Sequence, residues 1–124
     1  MRYWRFLDYC SEALNNMIEI WSQGLPTEAR ADFDWVIREL AGTEDWRDRR
    51  DFKPLRAHFA EIRFKTNNVQ YRPVGRFRPN REFVLLIGCS KKQKVFTPPD
   101  AFDQAVKRWG WLQQGRGSLC EHFL

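Results

Sequence analysis

Basic side chains alternate with apolar ones along the middle of this 124-residue chain, between residues 49 and 96. That segment holds thirteen Lys and Arg and three acidic residues, a local charge of +10 within a total of +5. Arg63 and Lys65 are two positions apart, so they would share one face of a strand. Arginine offers a planar fork that fits two phosphate oxygens, and lysine adds a point charge. These residue types on a sheet face are typical of a protein that binds a polyanion.

The overall composition is that of an ordinary globular chain. A length of 124 residues with 43% hydrophobic content, ten Phe and six Trp is enough for one domain with a core. No stretch approaches the roughly 18 apolar residues of a membrane span, and polar residues interrupt any secretory signal near the N-terminus. Cys10, Cys89 and Cys120 are far apart and lack metal-ligand spacing. We therefore expect reduced, inert thiols in a cytoplasmic protein without a structural metal site.

Hydrophobic periodicity predicts an α+β fold. The predicted elements are a strand at 2–7, helices at 11–24 and 25–42, strands at 58–66, 69–78 and 83–88, and a helix that begins after Thr97. This order indicates a small, twisted, antiparallel-rich sheet of about four strands, with an N-terminal helical hairpin, a C-terminal helix, and the helices on one face. We expect a single domain over residues 1–124, with residues 113–124 as a loose C-terminal tail.

Several positions refine this prediction. The continuous apolar run at 83–88 is typical of a central strand that is buried on both faces. Pro73 and Gly75 predict a bulge or an irregular end in the preceding strand. Trp35 falls among the apolar positions of the second helix, so we expect it in the core.

Four short motifs, in order, resemble the RelE superfamily of toxins. They are Phe59–Phe64, the pair Tyr71-Arg72, the apolar strand that ends at Gly88, and Lys91–Lys94 followed by Thr97-Pro98-Pro99. The chain is most similar to the phage-derived, HigB-like branch, and the resemblance covers residues 25 to 112. Each motif alone is weak, but the four in register over one layout form a specific pattern.

The resemblance implies a RelE-like fold and the toxin of a type II toxin–antitoxin pair. RelE-like members are endoribonucleases that cut mRNA, usually in the ribosomal decoding site, and they use no metal or other cofactor. The RNA 2′-hydroxyl attacks the adjacent phosphate and leaves a cyclic phosphate and a 5′-hydroxyl end. The implied partners are mRNA, the ribosome and a cognate antitoxin, commonly a helix-turn-helix protein, with no role for a membrane.

The resemblance also implies site residues, and the chemistry explains their types. Something must take the 2′-hydroxyl proton, something must neutralise the pentavalent phosphorane, and something must assist the leaving oxygen. Arg72 matches the family's phosphate-stabilising arginine, and Arg63 and Lys65 match its basic sheet residues. Of the lysine-rich turn, Lys92 is the catalytic candidate. Candidates for contacts with RNA complete the set: Lys91, Lys94, Arg76, Phe96 and His58.

The chain departs from RelE at one position. Where RelE places a tyrosine shortly before the last helix, this sequence has Phe96. A phenylalanine can stack on a nucleobase, but it cannot transfer a proton. A tyrosine-based mechanism is therefore not available, and the sequence does not identify the general base.

Two other functions stay open at this point. ParE-type relatives share the fold and poison DNA gyrase by protein contact, without cutting RNA. Phe96 also suggests a phage-type protein that binds nucleic acid without catalysis. Substitution of Arg72 and Lys65 separates these readings, because a nuclease should lose its toxicity and a gyrase binder need not.

Overall fold

The computed structural model describes residues 2–124, which form three α-helices and ten short strands. The elements are β1 (Arg5–Cys10), α1 (Met17–Gln23), α2 (Thr27–Ala41), β2 (Phe52–Pro54), β3 (Phe59–Ile62), β4 (Phe64–Thr66), β5 (Val69–Tyr71), β6 (Val74–Arg78), β7 (Glu82–Ile87), β8 (Ser90–Lys92), β9 (Val95–Thr97), α3 (Ala101–Gln113) and β10 (Ser118–Glu121). A single 3₁₀ turn, Arg56–His58, joins β2 to β3. The predicted α+β class is therefore confirmed.

The strands form two sheets. The first has the order β10-β1-β7-β6-β3-β2, with β1 parallel to β7 and every other pair antiparallel. The second has the order β4-β5-β8-β9 and is antiparallel throughout. The prediction of about four strands in one sheet was wrong. The predicted strands at 58–66 and 69–78 bend and each contributes to both sheets, and β2, β8, β9 and β10 were not predicted.

The bends occur where the regular ladder of backbone hydrogen bonds between neighbouring strands is interrupted. Proline has no N–H to donate, and the register between β6 and β7 shifts between Val74 and Gly75, directly after Pro73. The predicted bulge is therefore confirmed. Backbone hydrogen bonds still bridge the bend, from Ile62 N to the Pro73 oxygen at 2.9 Å and from Arg72 N to the Cys89 oxygen at 2.7 Å. The segments on either side of the bend are thus held at a fixed angle.

The six-stranded sheet is covered on both faces. In β7, Phe83 and Leu85 belong to the core cluster under α1 and α2, whereas Val84 and Leu86 belong to the cluster under α3. This alternation confirms that β7 is buried on both faces, as its apolar run predicts. The expectation that the helices lie on one face was wrong, since α3 packs on the face opposite the helical hairpin.

The two helices of the hairpin end at the predicted residues, but α1 begins later than predicted. Gly24 and Gly42 are the C-caps of the two helices. The N-cap of α1 is Asn16, whose side-chain oxygen accepts hydrogen bonds from the N–H groups of Ile18 and Glu19 at 3.1 and 2.9 Å. No helix within residues 2–124 is long and apolar enough to cross a membrane.

The C-terminal segment differs from the loose tail that the sequence predicts. β10 pairs antiparallel with β1, for example Leu119 opposite Tyr9, and a disulfide joins Cys10 to Cys120. The expectation of three reduced thiols is thus corrected, and Cys89 is the free cysteine among the described residues. Beyond β10, His122 Nδ1 lies 2.7 Å from Asp8 Oδ1 in the interior, so the end of the chain is anchored to the first strand.

Gly88 allows α1 to approach the end of β7 closely. A Cβ atom at this position would collide with the indole ring of Trp21. We expect Gly88→Ala to lower the free energy of unfolding by about 1–3 kcal/mol, because the indole must move out of a packed core. Equilibrium denaturation in urea would measure this change.

Gly110 provides the matched control for that substitution. It lies inside α3, and a Cβ atom there would meet nothing within 4 Å. Gly110→Ala should raise the unfolding free energy by roughly 0.5–1 kcal/mol, since alanine loses less backbone entropy in a helix. If both substitutions changed the free energy of unfolding by the same amount, the packing of Trp21 would not require a glycine at position 88.

Candidate functional site

One row of side chains crosses the four-stranded sheet from edge to edge. Lys65 is opposite Gln70, Gln70 is opposite Lys91, and Lys91 is opposite Phe96. Residues that are directly opposite each other in a ladder place their side chains on the same face. Arg63 and Arg72 lie at the bends, two residues from Lys65 and Gln70 respectively, and all four side chains line one pocket. We call this set the basic face: Arg63, Lys65, Gln70, Arg72, Lys91 and Phe96.

The reverse side of this sheet is buried against the helical hairpin. Phe64 stacks on Tyr71 with ring centroids 5.0 Å apart, and each ring also contacts a helix residue, Phe33 at 5.9 Å and Trp21 at 6.4 Å respectively. Alternating residues of β4 and β5 therefore anchor the sheet to the core. Their neighbours in the sequence are thereby turned outward, and this arrangement produces a basic face from a simple alternating pattern.

Arg72 is held in place by three neighbouring side chains. Its side chain is only 17% exposed, and its Nη1 lies 3.7 Å from the Glu61 carboxylate. Its Nη2 donates a hydrogen bond to the side-chain oxygen of Gln70, and its guanidinium carbon is 5.8 Å from the ring centroid of Phe96. The guanidinium is therefore pre-positioned, which lowers the entropic cost of binding an anion.

Glu61 is a functional candidate that the sequence analysis did not select. Its side chain is 12% exposed and accepts a hydrogen bond from Arg63 Nε at 2.7 Å, in addition to its ion pair with Arg72. The Glu61 carboxylate thus holds the guanidinium groups of both Arg63 and Arg72 at the basic face, and that of Arg72 also lines the cavity described below. The signal in the sequence was the Glu-x-Arg spacing, which places both side chains on the same side of an extended chain.

Phe96 lies between two cations. Besides the contact with Arg72, the Lys91 Nζ atom lies 4.9 Å from its ring centroid. The ring is half-buried. Cations at an aromatic face are attracted by its quadrupole, so Phe96 helps to hold both side chains while it retains an apolar surface that a base could stack on.

A cavity of about 410 Å³ opens between the bend of the sheet and the start of α3. Its polar lining consists of Arg56, Glu61 and Arg72. The apolar lining includes Leu55, Val74, Phe96, Pro99 and Phe102. Apolar walls with a few converging polar groups are typical of ligand sites. The shape and chemistry suit a flat ring that is attached to an anionic group.

Cys89 lines the same cavity but does not act as a nucleophile near neutral pH. Burial, and then the charge of Glu61, raise the pKa of this thiol to about 11. The thiolate, rather than the thiol, is the reactive form. The residue therefore serves as a small apolar group in the wall.

This pKa predicts how the thiol reacts with iodoacetamide. Because the thiolate forms only as the pH rises toward 11, alkylation of the folded protein should be slow at pH 7.5 and should accelerate with each pH step up to that value. Mass spectrometry of protein that was not reduced should find one alkylated site, Cys89, as Cys10 and Cys120 are joined. Rapid labelling at neutral pH, or labelling of Cys10, would contradict the arrangement.

The remaining predicted residues do not join the basic face. Lys92 is exposed on the reverse side of β8 from Lys91, and Lys94 lies in the exposed turn between β8 and β9. His58 is exposed in the turn before β3, with a φ of 66°. Arg76 lies under α3, where its guanidinium stacks on Trp109. The structure therefore brings together Arg63, Lys65, Arg72, Lys91 and Phe96 from the predicted set.

Comparisons with known proteins place the chain in a family. Neither the curated proteins nor the solved structures contain a significant match. The model of the family described as phage derived protein Gp49-like (DUF891) matches residues 21–110, which are 90 of the 124 residues. The matched span includes α2 and the strands of the basic face. The chain therefore belongs to this phage-derived, Gp49-like family, which is a RelE-like family of toxin-like proteins.

Proposed function

We propose that this protein is the toxin of a type II toxin–antitoxin system and that it cleaves mRNA on the ribosome without a metal ion. The observation that carries the proposal is the position of Arg72, which lies between a buried carboxylate and an aromatic ring, at the wall of a cavity and on a basic face. Membership of a toxin-like family supports the biological role. The HigB-like branch is part of the same proposal.

The proposed reaction is an attack of the RNA 2′-hydroxyl on the adjacent phosphorus. The bond from the 2′ oxygen to phosphorus forms and the bond to the 5′ oxygen breaks, which leaves a 2′,3′-cyclic phosphate and a 5′-hydroxyl. Arg72 neutralises the extra charge of the phosphorane with its planar fork. Glu61 takes the proton of the 2′-hydroxyl, as the carboxylate that lines the cavity beside Arg72. The leaving 5′ oxygen takes a proton from solvent.

Four further residues support this mechanism. Phe96 stacks on the base next to the scissile phosphate, which agrees with its lack of a hydroxyl group. Lys91 places its charge beside the same ring, where it attracts the leaving oxygen. Arg63 holds Glu61 by the hydrogen bond at 2.7 Å. Lys65 adds positive potential for the backbone at the outer edge of the basic face.

The proposal includes partners and a location. A basic face attracts RNA electrostatically whether or not an antitoxin is present, so a cell that makes this protein needs a second protein to cover it. We propose a helix-turn-helix antitoxin with an acidic or apolar segment for that role. A ribosomal substrate also implies a cytoplasmic location.

The direct test is primer extension on a defined mRNA with purified protein, with and without translating ribosomes. New 5′ ends that require ribosomes are expected. If a folded preparation that still arrests growth produces no new ends, the nuclease proposal is wrong. DNA gyrase supercoiling and binding of RNA without cleavage would then be measured as the two alternatives.

A further inference from the structure

A series of arginine–aromatic contacts continues from the basic face along the side of α3. Arg56 lies over Phe102 at 4.9 Å, and Phe102 contacts the ring of Phe59 at 5.5 Å. Arg76 in turn lies over Phe59 at 5.7 Å and over Trp109 at 4.4 Å. Because Arg56 and Phe102 also line the cavity beside Arg72, the series is continuous with the candidate site.

The series ends in a second cavity, of about 390 Å³, between β6, the end of α3 and the start of β10. Its lining includes Arg76, Arg78, Trp109, Gln113 and Ser118. None of the described residues that line this cavity is acidic. Two guanidinium groups with an amide, a hydroxyl and an indole are the donors and the stacking surface that a nucleotide requires.

We propose that this cavity is a second nucleotide subsite, and that one single strand of RNA occupies both cavities. We call the two cavities and the surface between them the track; the buried ring of Phe59 supports it from below. The inference rests on the proposed function, and it adds how the protein binds the nucleotides that flank the cleavage site. Arg72 and Arg78 are six residues apart, which is at most roughly 20 Å, because the chain bends between them at Pro73. A strand of several nucleotides is required to reach both arginines.

Both arginines of the second cavity can turn toward a phosphate. The guanidinium carbon of Arg76 lies 4.4 Å from the ring centroid of Trp109, and its Nη1 donates to the Phe77 oxygen at 3.2 Å. Its other N–H groups have no protein acceptor among the described residues, so they are available to a phosphate. Arg78 has a long ion pair with Glu82, 3.5 Å from Nε to Oε1. Glu82 also pairs with Arg5 at 3.0 Å, so its charge stays compensated when Arg78 turns toward a phosphate.

The recognition in this track does not depend on base sequence. Base–aromatic stacking accepts every base, and arginine contacts with phosphates carry no sequence information directly. The track is therefore expected to strengthen binding of flanking nucleotides in any message. The length of the RNA, rather than its sequence, is the variable that reveals it.

Fluorescence anisotropy with 2′-O-methyl oligonucleotides tests this proposal, because these strands lack the attacking hydroxyl and stay intact. The two probes are a trinucleotide and a strand of roughly 12 nucleotides, a length in the range of single-strand site sizes. Wild-type protein should bind the longer strand more tightly. Arg78→Gln should reduce the ratio of the two affinities about tenfold, the effect of one charge-assisted contact.

Salt dependence gives a second readout, and Arg50→Gln gives the control. The slope of log affinity for the longer strand against log salt should fall in magnitude by about 0.7 in Arg78→Gln, the value for one phosphate contact on a single strand. Arg50 is an exposed arginine in the connector before β2, so its substitution removes the same charge outside the track. It should change neither the ratio nor the slope.

The results test the track and the proposed cleavage reaction independently. If Arg78→Gln behaves like Arg50→Gln, or if wild-type protein binds both lengths equally, the track is wrong even where mRNA is cleaved. If the length preference is present and depends on Arg78, but primer extension finds no cleavage, the track stands and the proposed reaction fails.

Discussion

Substitution of Arg72 by alanine is expected to slow mRNA cleavage by about 10²–10³-fold, the loss that follows removal of one pre-positioned donor to a developing oxyanion. The expectation follows from its surroundings, since Glu61, Gln70 and Phe96 fix the guanidinium before substrate binds. The measurement is a time course of primer extension with translating ribosomes and an excess of enzyme, so that product release does not limit the rate.

Two further variants make this result specific to Arg72. Arg72→Lys keeps the charge but loses the planar fork, so its rate should lie between those of wild type and alanine. Arg50→Ala removes an exposed arginine elsewhere in the basic segment and should cleave at the wild-type rate. Thermal denaturation should show that every variant is folded. An Arg72→Ala protein that still cleaves at the wild-type rate would remove Arg72 from the reaction.

The sequence predicted those parts of the fold that depend on local periodicity. The apolar run of β7 and the apolar positions of α2 are long enough for a period to be counted, and both elements lie where expected. Trp35 is an exception, since it is 60% exposed. It immediately precedes Val36, and one position is about 100° around a helix, so the tryptophan lies off the apolar stripe.

Long-range pairing could not be predicted from the same information. β10 has four residues, and its disulfide with β1 joins cysteines 110 positions apart in the sequence. No short window contains that relation, so the sequence predicted a loose tail. The division into two sheets depends likewise on bends near Arg63 and Pro73, where tertiary packing decides whether a strand continues.

The candidate site was predicted in part for the same reason. Alternation predicted Arg63 and Lys65 on one face, and both side chains line the same pocket, although Arg63 lies at the bend before β4. Lys92 was favoured over Lys91 as the catalytic lysine, because the sequence does not show which lysines of a short hairpin face the site. Glu61 was not selected from the sequence, because its place in the cavity follows from the bend between the sheets.

Glu61→Gln is the second substitution with a large expected effect, a loss of about 10²–10⁴-fold in cleavage rate, which is typical for removal of a general base. Glutamine has a similar shape but no charge, so it cannot accept the 2′-hydroxyl proton. Binding of the uncleavable 2′-O-methyl strand should be retained or strengthened, because a negative charge beside Arg63 and Arg72 is removed. Anisotropy and primer extension on the same preparation measure the two effects.

Glu82→Gln is the matched control for this prediction. Glu82 is also a half-buried carboxylate on the sheet and is paired with two arginines, Arg5 at 3.0 Å and Arg78 at 3.5 Å, but it does not line the cavity beside Arg72. Both glutamine variants lose comparable ion pairs, so loss of stability alone would slow cleavage equally in the two. A slow Glu61→Gln beside an active Glu82→Gln shows that cleavage requires this carboxylate, as the proton acceptor or as the group that fixes Arg72. An active Glu61→Gln would restrict Glu61 to holding the arginines and move the search for the base to the substrate or the ribosome.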